Sequence, residues 1–351
     1  IFSNDLHNDL MKELSYRLNL PSGLVVSFGN NTHSETSHDN EKIIPTPRIV
    51  YKLKNIRIEH IYSGWEHNLL ISNNGDIYSF GFNQFLQCGA SNCEKSNNII
   101  NNPINISISN NNIKGISASC GNEHSLILSK ENIVYAFGNN EDGALGLEDD
   151  TIQKHDFTKI NFGKDTNKIK AISAGTVHNL ALTLDGKIYS WGSSLGGQLG
   201  LSEEYLLSQP QFKQKNFISK PTYVPINGNK YKVIKIASGE AHSIALTSLG
   251  EVYSWGFGSN GQLGQGFCED SFEPGTGLNK SRKFTPKKIM DNNIIDIQCG
   301  KTFSMIINKE NELYSFGVND LYQLGLDKSP PKTNLYNNEF TCFDFVYPTK
   351  V

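Results

Sequence analysis

The 351-residue sequence is poor in most features that mark a reactive, membrane-bound or nucleic-acid-coating chain. Its 32 lysines and arginines nearly balance its 35 aspartates and glutamates, leaving a formal charge of −3. That balance excludes an overall basic footprint for nucleic acid. No apolar run approaches the ~20 residues that cross a bilayer as a helix. No secretory leader is visible either, although the chain opens at Ile1 without methionine, so the native start is expected to lie upstream. The six cysteines include no C-x-x-C pair and have no histidines at ligand spacing, which argues against a disulfide framework or a zinc site. A reduced, intracellular protein, nuclear or cytoplasmic, is expected. Nucleophile elbow, phosphate-binding loop and HExxH motif are all missing. No catalytic residue, metal or cofactor is therefore assigned.

What the chain has is a repeat. Its clearest copy, Ile169–Gly200, contains three short strand-like runs, with Asp185-Gly186 supplying a tight turn into Lys187–Trp191. The frame recurs as SGWEHNLLISNNGDIYSFG (Ser63–Gly81), CGNEHSLILSKENIVYAFG (Cys120–Gly138), SGEAHSIALTSLGEVYSWG (Ser238–Gly256) and CGKTFSMIINKENELYSFG (Cys299–Gly317). Its first glycines, Gly64, Gly121, Gly175, Gly239 and Gly300, are 57, 54, 64 and 61 residues apart. A period slightly above fifty with about four short strands per unit predicts a β-propeller.

The columns of the repeat have physical readings. Small residues precede each glycine (Ser63, Cys120, Ala174, Ser238, Cys299), which implies close backbone packing, and the glycine itself fits either a positive φ or a close approach. His67, His124, His178 and His242 follow three residues later, with Phe303 in the last copy. Standing at one place in successive blades, they form a ring rather than a metal cluster. The expected role is donation of a ring N–H to a neighbouring backbone carbonyl. Phe80, Phe137, Trp191, Trp255 and Phe316 are expected to fill the wedges between blades. The glycine-rich stretches GSSLGGQLG and GFGSNGQLG follow strands but lead into no helix that could hold a phosphate, so they are turns.

The pattern AGxxH…L…G-x-V/I-Y-x-W/F-G…GQLG resembles the repeat of the regulator-of-chromosome-condensation (RCC1-like) propeller family. The five full copies span roughly Ile56 to Leu326. The resemblance implies an all-β propeller of four-stranded blades, seven in the usual family member, and fixes fold better than function. Residues 1–23 form a separate segment in which Leu6, Leu10, Leu14 and Leu18 recur every fourth position. This segment reads either as a short helix or as a degenerate repeat. Residues 24–351 are expected to form one propeller of six visible units. Leu24–Gly29 matches the aromatic strand, with Phe28 in the aromatic column. Each repeat is read as opening with a proline-marked strand (Thr46–Val50, Pro221–Ile226, Thr285–Ile289). Tyr347–Val351 is then another opening strand, expected to pair with Leu24–Phe28 in a composite blade. Asn30–Lys42 and Ser91–Asn102 read as polar loops, with His33 and His38 in solvent. Tyr205-Leu206-Leu207, in the Ser202–Lys220 insertion, is expected to cover a blade edge or meet a partner.

Two functions follow from the resemblance. The first is a guanine-nucleotide exchange factor for a Ran-like small GTPase, which needs only tighter binding of the nucleotide-free form. Its contact face carries the two variable residues of each AGxxH loop. The candidates by position are Trp65, Glu66, Asn122, Glu123, Glu240 and Lys301, with Glu66, Glu123 and Glu240 as acidic contacts. The wedge-like insertion of the exchange factors has no clear counterpart, and chromatin contact rests on analogy, with Arg282-Lys283 and Lys287-Lys288 only a modest basic cluster. The second is a non-exchanging, monomeric interaction platform centred on Trp65 or the 202–220 loop.

Overall fold

The computed structural model describes residues 23–38, 41–91, 98–147, 151–163, 168–266, 281–291, 293–326 and 345–351. Among them the chain forms five four-stranded antiparallel sheets and one two-stranded sheet, six units in succession. The first unit is β1 (Val26–Asn30) with β2 (Ile43–Ile49). The second runs β3 (Ile58–Ser63), β4 (His67–Ser72), β5 (Ile77–Phe82), β6 (Ile99–Asn105), and the third β7 (Gly115–Cys120) to β10 (Gln153–Lys159). The fourth, fifth and sixth open with β11 (Ile169–Ala174), β15 (Val233–Ser238) and β19 (Ile294–Cys299). They close with β14 (Phe217–Val224), β18 (Arg282–Met290) and β22 (Phe345–Lys350). In each complete blade the strands meander in chain order, and the ends of β3, β7, β11, β15 and β19 surround one central cavity. This is the propeller that the repeat predicts.

The proline-marked strands have the opposite place in the blade from the one expected. They close blades instead of opening them: β14 and β18 pair with the aromatic strands β13 (Ile188–Ser193) and β17 (Val252–Phe257). An outermost strand has a free hydrogen-bonding edge, where a residue without an N–H does no harm. The composite blade falls for the same reason. β22 pairs with β21 (Leu313–Gly317) as the last strand of the sixth blade, and Val26 and Ser27 pair with Ile49 and Arg48 of β2. The leucine stripe of residues 4–18 lies outside the described residues.

The aromatic column packs as expected at Phe80, Phe137, Trp191, Trp255 and Phe316, all buried. Burial of a side chain of this size contributes roughly 1.5–3 kcal/mol. Phe28 departs from the column at 60% exposure, because no described turn of a preceding blade packs on it. The 202–220 insertion folds as two short helices, α1 (Glu203–Ser208) and α2 (Pro210–Lys215), and Ser202 Oγ accepts from the Tyr205 N–H as the cap of α1. Leu206 enters the core beside Leu201 and Ile218 and Phe212 packs against the same cluster, while Tyr205 and Leu207 stay exposed, so the segment covers the blade with part of its apolar side chains.

The histidines join blades, but through side chains. His67 Nε2 meets Ser125 Oγ of the next blade at 2.9 Å, His124 Nε2 meets Asn179 Oδ1 at 2.8 Å, His178 Nε2 meets Ser243 Oγ at 2.9 Å, and His242 Nε2 meets Ser304 Oγ at 3.0 Å. Each receiving residue directly follows the histidine position of its own blade. That residue in turn donates to a turn carbonyl of the blade before: Ser125 to Gln87 O, Asn179 to Ala144 O, Ser243 to Gln198 O and Ser304 to Gln262 O. Asn68 donates likewise to Glu35 O. With the hydroxyl or amide hydrogen so committed, Nε2 must carry the imidazole proton. The expected backbone acceptor is thus replaced by a side-chain relay, because the serine and asparagine side chains stand between ring and carbonyl.

The glycine column is set by close approach. A Cβ on Gly175 would lie 2.2 Å from the His178 ring and 2.5 Å from Gly239 O of the next blade. The turn after each aromatic strand is the place where positive φ recurs. Gly197 and Gly200 have φ of 83° and 72°, and Gly261 and Gly264 have 75° and 64°. Leu86 and Gly89 take the same places at 66° and 67°, Tyr322 and Gly325 at 58° and 71°. Ser34 and Ser37, at 61° and 57°, give Asn31–Ser37 the same geometry. The Asn31 side chain accepts from Thr36 N as Asn83 does from Cys88 N and Asn319 from Leu324 N. The Asn30–Lys42 stretch, expected as an unpatterned loop, therefore contains the sixth copy of the turn.

Burial lowers the pKa of His67 and His178 to about 3 and of His124 and His242 to about 4. Unfolded histidine titrates near 6.5, so below that pH the unfolded chain binds more protons than the folded one. The clamp's contribution is therefore full above about pH 6.5 and is lost as pH falls toward about 4 for His124 and His242 and about 3 for His67 and His178, at up to about 1.4 kcal/mol per pH unit for each histidine. Urea unfolding followed from pH 7 to pH 5 should show this loss. His178→Phe, the residue of the sixth blade, should cut the slope by about a quarter and cost about 1 kcal/mol at pH 7. Gly175→Ala should destabilise by about 3 kcal/mol in the same assay.

Candidate protein-binding face

The AGxxH loops meet at one end of the propeller around a cavity of about 500 Å³. Its wall alternates the small column and the glycines with the first variable residue of each loop: Trp65, Asn122, Thr176, Glu240 and Lys301. The loops are tied to one another by the backbone. Asn122 N donates to Thr176 O at 3.2 Å, Thr176 N to Glu240 O at 3.2 Å and Glu240 N to Lys301 O at 2.8 Å. This collar fixes where the side chains of Asn122, Thr176, Glu240 and Lys301 emerge. Trp65 stands at the rim with 62% of its surface exposed. The Lys301 ammonium lies 5.0 Å from the Trp65 ring centroid and 3.8 Å from Glu240 Oε1. A cation between an aromatic face and a carboxylate is held by both. Asn122 Oδ1, shut off from solvent, has no hydrogen-bond partner.

Four of the six predicted contact residues (Trp65, Asn122, Glu240, Lys301) thus share the cavity wall, and two do not. Glu66 and Glu123 occupy the second variable position and lie outside the cavity lining. Glu66 approaches His33 Nδ1 at 3.0 Å, and Glu123 accepts from Asn139 Nδ2 at 2.8 Å. The three acids named together from sequence belong to two repeat positions, one lining the cavity and one outside it. The cavity wall itself carries one acid and one base, Glu240 and Lys301, and no net charge. An acidic cluster lies outside the cavity lining: burial, then Glu141 and Glu123, push the Asp142 carboxyl above its usual value. The basic cluster on β18 is partly neutralised, with Lys288 paired to Asp291 and Glu251.

His33 and Glu35 are functional candidates that sequence reasoning missed. His33, read as solvent-exposed, packs against Phe82 with ring centroids 4.8 Å apart and planes tilted by 52°. The signal that could have found it is the N-x-x-S-x-x-S spacing of Asn31, Ser34 and Ser37, which matches the N-x-x-G-x-x-G turn of Asn140–Gly146. Among the described residues no helix is long and apolar enough to cross a membrane.

A family model described as RCC1-like domain matches residues 14–276 and 101–351. The human X-linked retinitis pigmentosa GTPase regulator is 31% identical over 349 residues, covering 87% of this chain and 31% of the relative. The human regulator of chromosome condensation is 32% identical over 222 residues, covering 60% of this chain and 48% of the relative. The crystal structure of Prp20p from Saccharomyces cerevisiae superimposes with a TM-score of 0.75 at 23% identity, covering 94% of this chain and 74% of that one. The chain spans about a third of the length of the retinitis pigmentosa GTPase regulators it matches. With its repeat frame, its blades and this match in agreement, the chain belongs to the RCC1-like domain family.

Proposed function

We propose that the chain is a monomeric protein-binding propeller whose partner docks on the cavity face. The observation that carries this is Trp65, a large aromatic left exposed at the rim of a backbone-tied collar. Tryptophans of this kind anchor interfaces because they bury much apolar area at little entropic cost. An intracellular setting fits Cys120 and Cys299, which are free thiols.

The most specific role is nucleotide exchange on a Ran-like small GTPase. It is supported by the relatives: the regulator of chromosome condensation matches over 222 residues, and Prp20p binds Gsp1p and histones. The platform reading is supported by the absence of net charge on the cavity wall and by the intrachain contacts of Glu66, Glu123 and Glu240. Exchange would work by differential affinity, with no bond made or broken on the propeller. Contact with histones would come from the same relative and not from the paired lysines of β18.

Release of mant-GDP from a Ran-like GTPase separates the two readings. Exchange predicts acceleration by the parent chain and a loss of at least tenfold in Trp65→Ala, with an unchanged Tm. Glu240→Ala should weaken it more than Glu66→Ala and Glu123→Ala together, because Glu240 alone of the three faces the cavity. Release that the parent leaves unaccelerated would discard exchange and keep the platform.

A further inference from the structure

The first turn of the propeller differs from its copies in chemistry while keeping their geometry. In the other turns the fifth residue is often glutamine, whose side chain accepts the N–H of the third: Gln87 from Phe85, Gln198 from Gly196, Gln262 from Asn260 and Gln323 from Leu321. Here the third and fifth residues are His33 and Glu35. Glu35 Oε2 keeps the inherited bond, accepting from His33 N at 2.8 Å. Its other oxygen, Oε1, lies 3.9 Å from His33 Nδ1, and Glu66 Oε1 of the next blade lies 3.0 Å from the same nitrogen. One ligand atom from each of the three residues falls within 4.8 Å of the others.

Two observations separate this cluster from an ordinary surface ion pair. His33 Nδ1 is shut off from solvent and has no hydrogen-bond partner, although Glu66 Oε1 is 3.0 Å away. The carboxylate oxygen therefore approaches outside the direction a ring N–H would take, as two atoms do when both face a third. The ring is also held in place, packed at a tilt against Phe82 at the end of β5. Ligands about 2.0–2.2 Å from a tetrahedral zinc stand roughly 3.3–3.6 Å from one another, which lies between the two separations from His33 Nδ1. The same repeat positions at the following junctions hold Phe85, Gln87 and Glu123, then Asp142, Ala144 and Val177, sets that offer no second copy.

We infer that His33, Glu35 and Glu66 form a binding site for a divalent transition cation of the zinc class. One imidazole nitrogen and two carboxylates suit zinc, with water as fourth ligand, and the nitrogen disfavours calcium and magnesium. The ion would bridge the first unit to the second. The inference is independent of what docks on the cavity face.

Zinc added to metal-stripped protein, with a chromophoric chelator as competitor, tests it. The site predicts one equivalent bound with a micromolar or lower Kd, a Tm raised by about 3–5 °C at a hundredfold excess over Kd, and cobalt absorption typical of four-coordination. Glu35→Gln restores the glutamine of the sister turns, so the turn should fold normally. It and Glu66→Gln should each weaken zinc at least tenfold, His33→Ala further, while His155→Ala should leave binding unchanged. A stoichiometry well below one at 100 µM zinc overturns the assignment. So does binding that survives Glu35→Gln and Glu66→Gln, or that falls with His155→Ala.

Discussion

The propeller depends on a single backbone carbonyl repeated at each junction between its described blades. It belongs to the fifth residue of the turn after the aromatic strand (Glu35, Gln87, Ala144, Gln198, Gln262) and is presented to the next blade. There it receives a side-chain hydrogen from the residue beside the histidine position. At two junctions it also receives the indole N–H, Trp191 to Ala144 O and Trp255 to Gln198 O. A buried carbonyl left without a donor costs about 1–3 kcal/mol, so every blade makes its neighbour's position obligatory. The imidazole then orients the donor, and the glycine column leaves room for the imidazole. Turn, serine, histidine and glycine thus form one device, which is why they recur together at wide spacing.

Much of this was legible in the sequence because the device leaves marks of distinct residue type. A small residue, a glycine, a histidine and an aromatic-glycine pair at steady offsets admit few explanations, and the predicted sheets and wedges follow from them. The errors came where marks were ambiguous or absent. Proline reports a strand edge without saying which edge, so opening and closing strands carry the same mark. The first turn replaces both glycines with Ser34 and Ser37, and its positive φ values have no signature in residue type. The clamp's direction, from one blade into the next, lies in three dimensions only.

The face was legible in part. Position in the repeat was enough to bring Trp65, Asn122, Glu240 and Lys301 to one cavity. Charge alone grouped Glu66 and Glu123 with Glu240, and charge does not distinguish the first variable residue of a loop, which emerges into the cavity, from the second. The partner atoms of Glu66 come from a turn some thirty residues earlier in the chain, a pairing no local pattern announces.

Phe303 gives the row of blades an asymmetry. Its phenyl group has no N–H, so the sixth blade can offer no imidazole bond to whatever lies ahead of it, while the four histidine blades behind it each can. That blade is held from the fifth, where Ser304 Oγ meets His242 Nε2 and donates to Gln262 O. The device that passes from blade to blade is thus interrupted at one position, by the exchange of one ring for another.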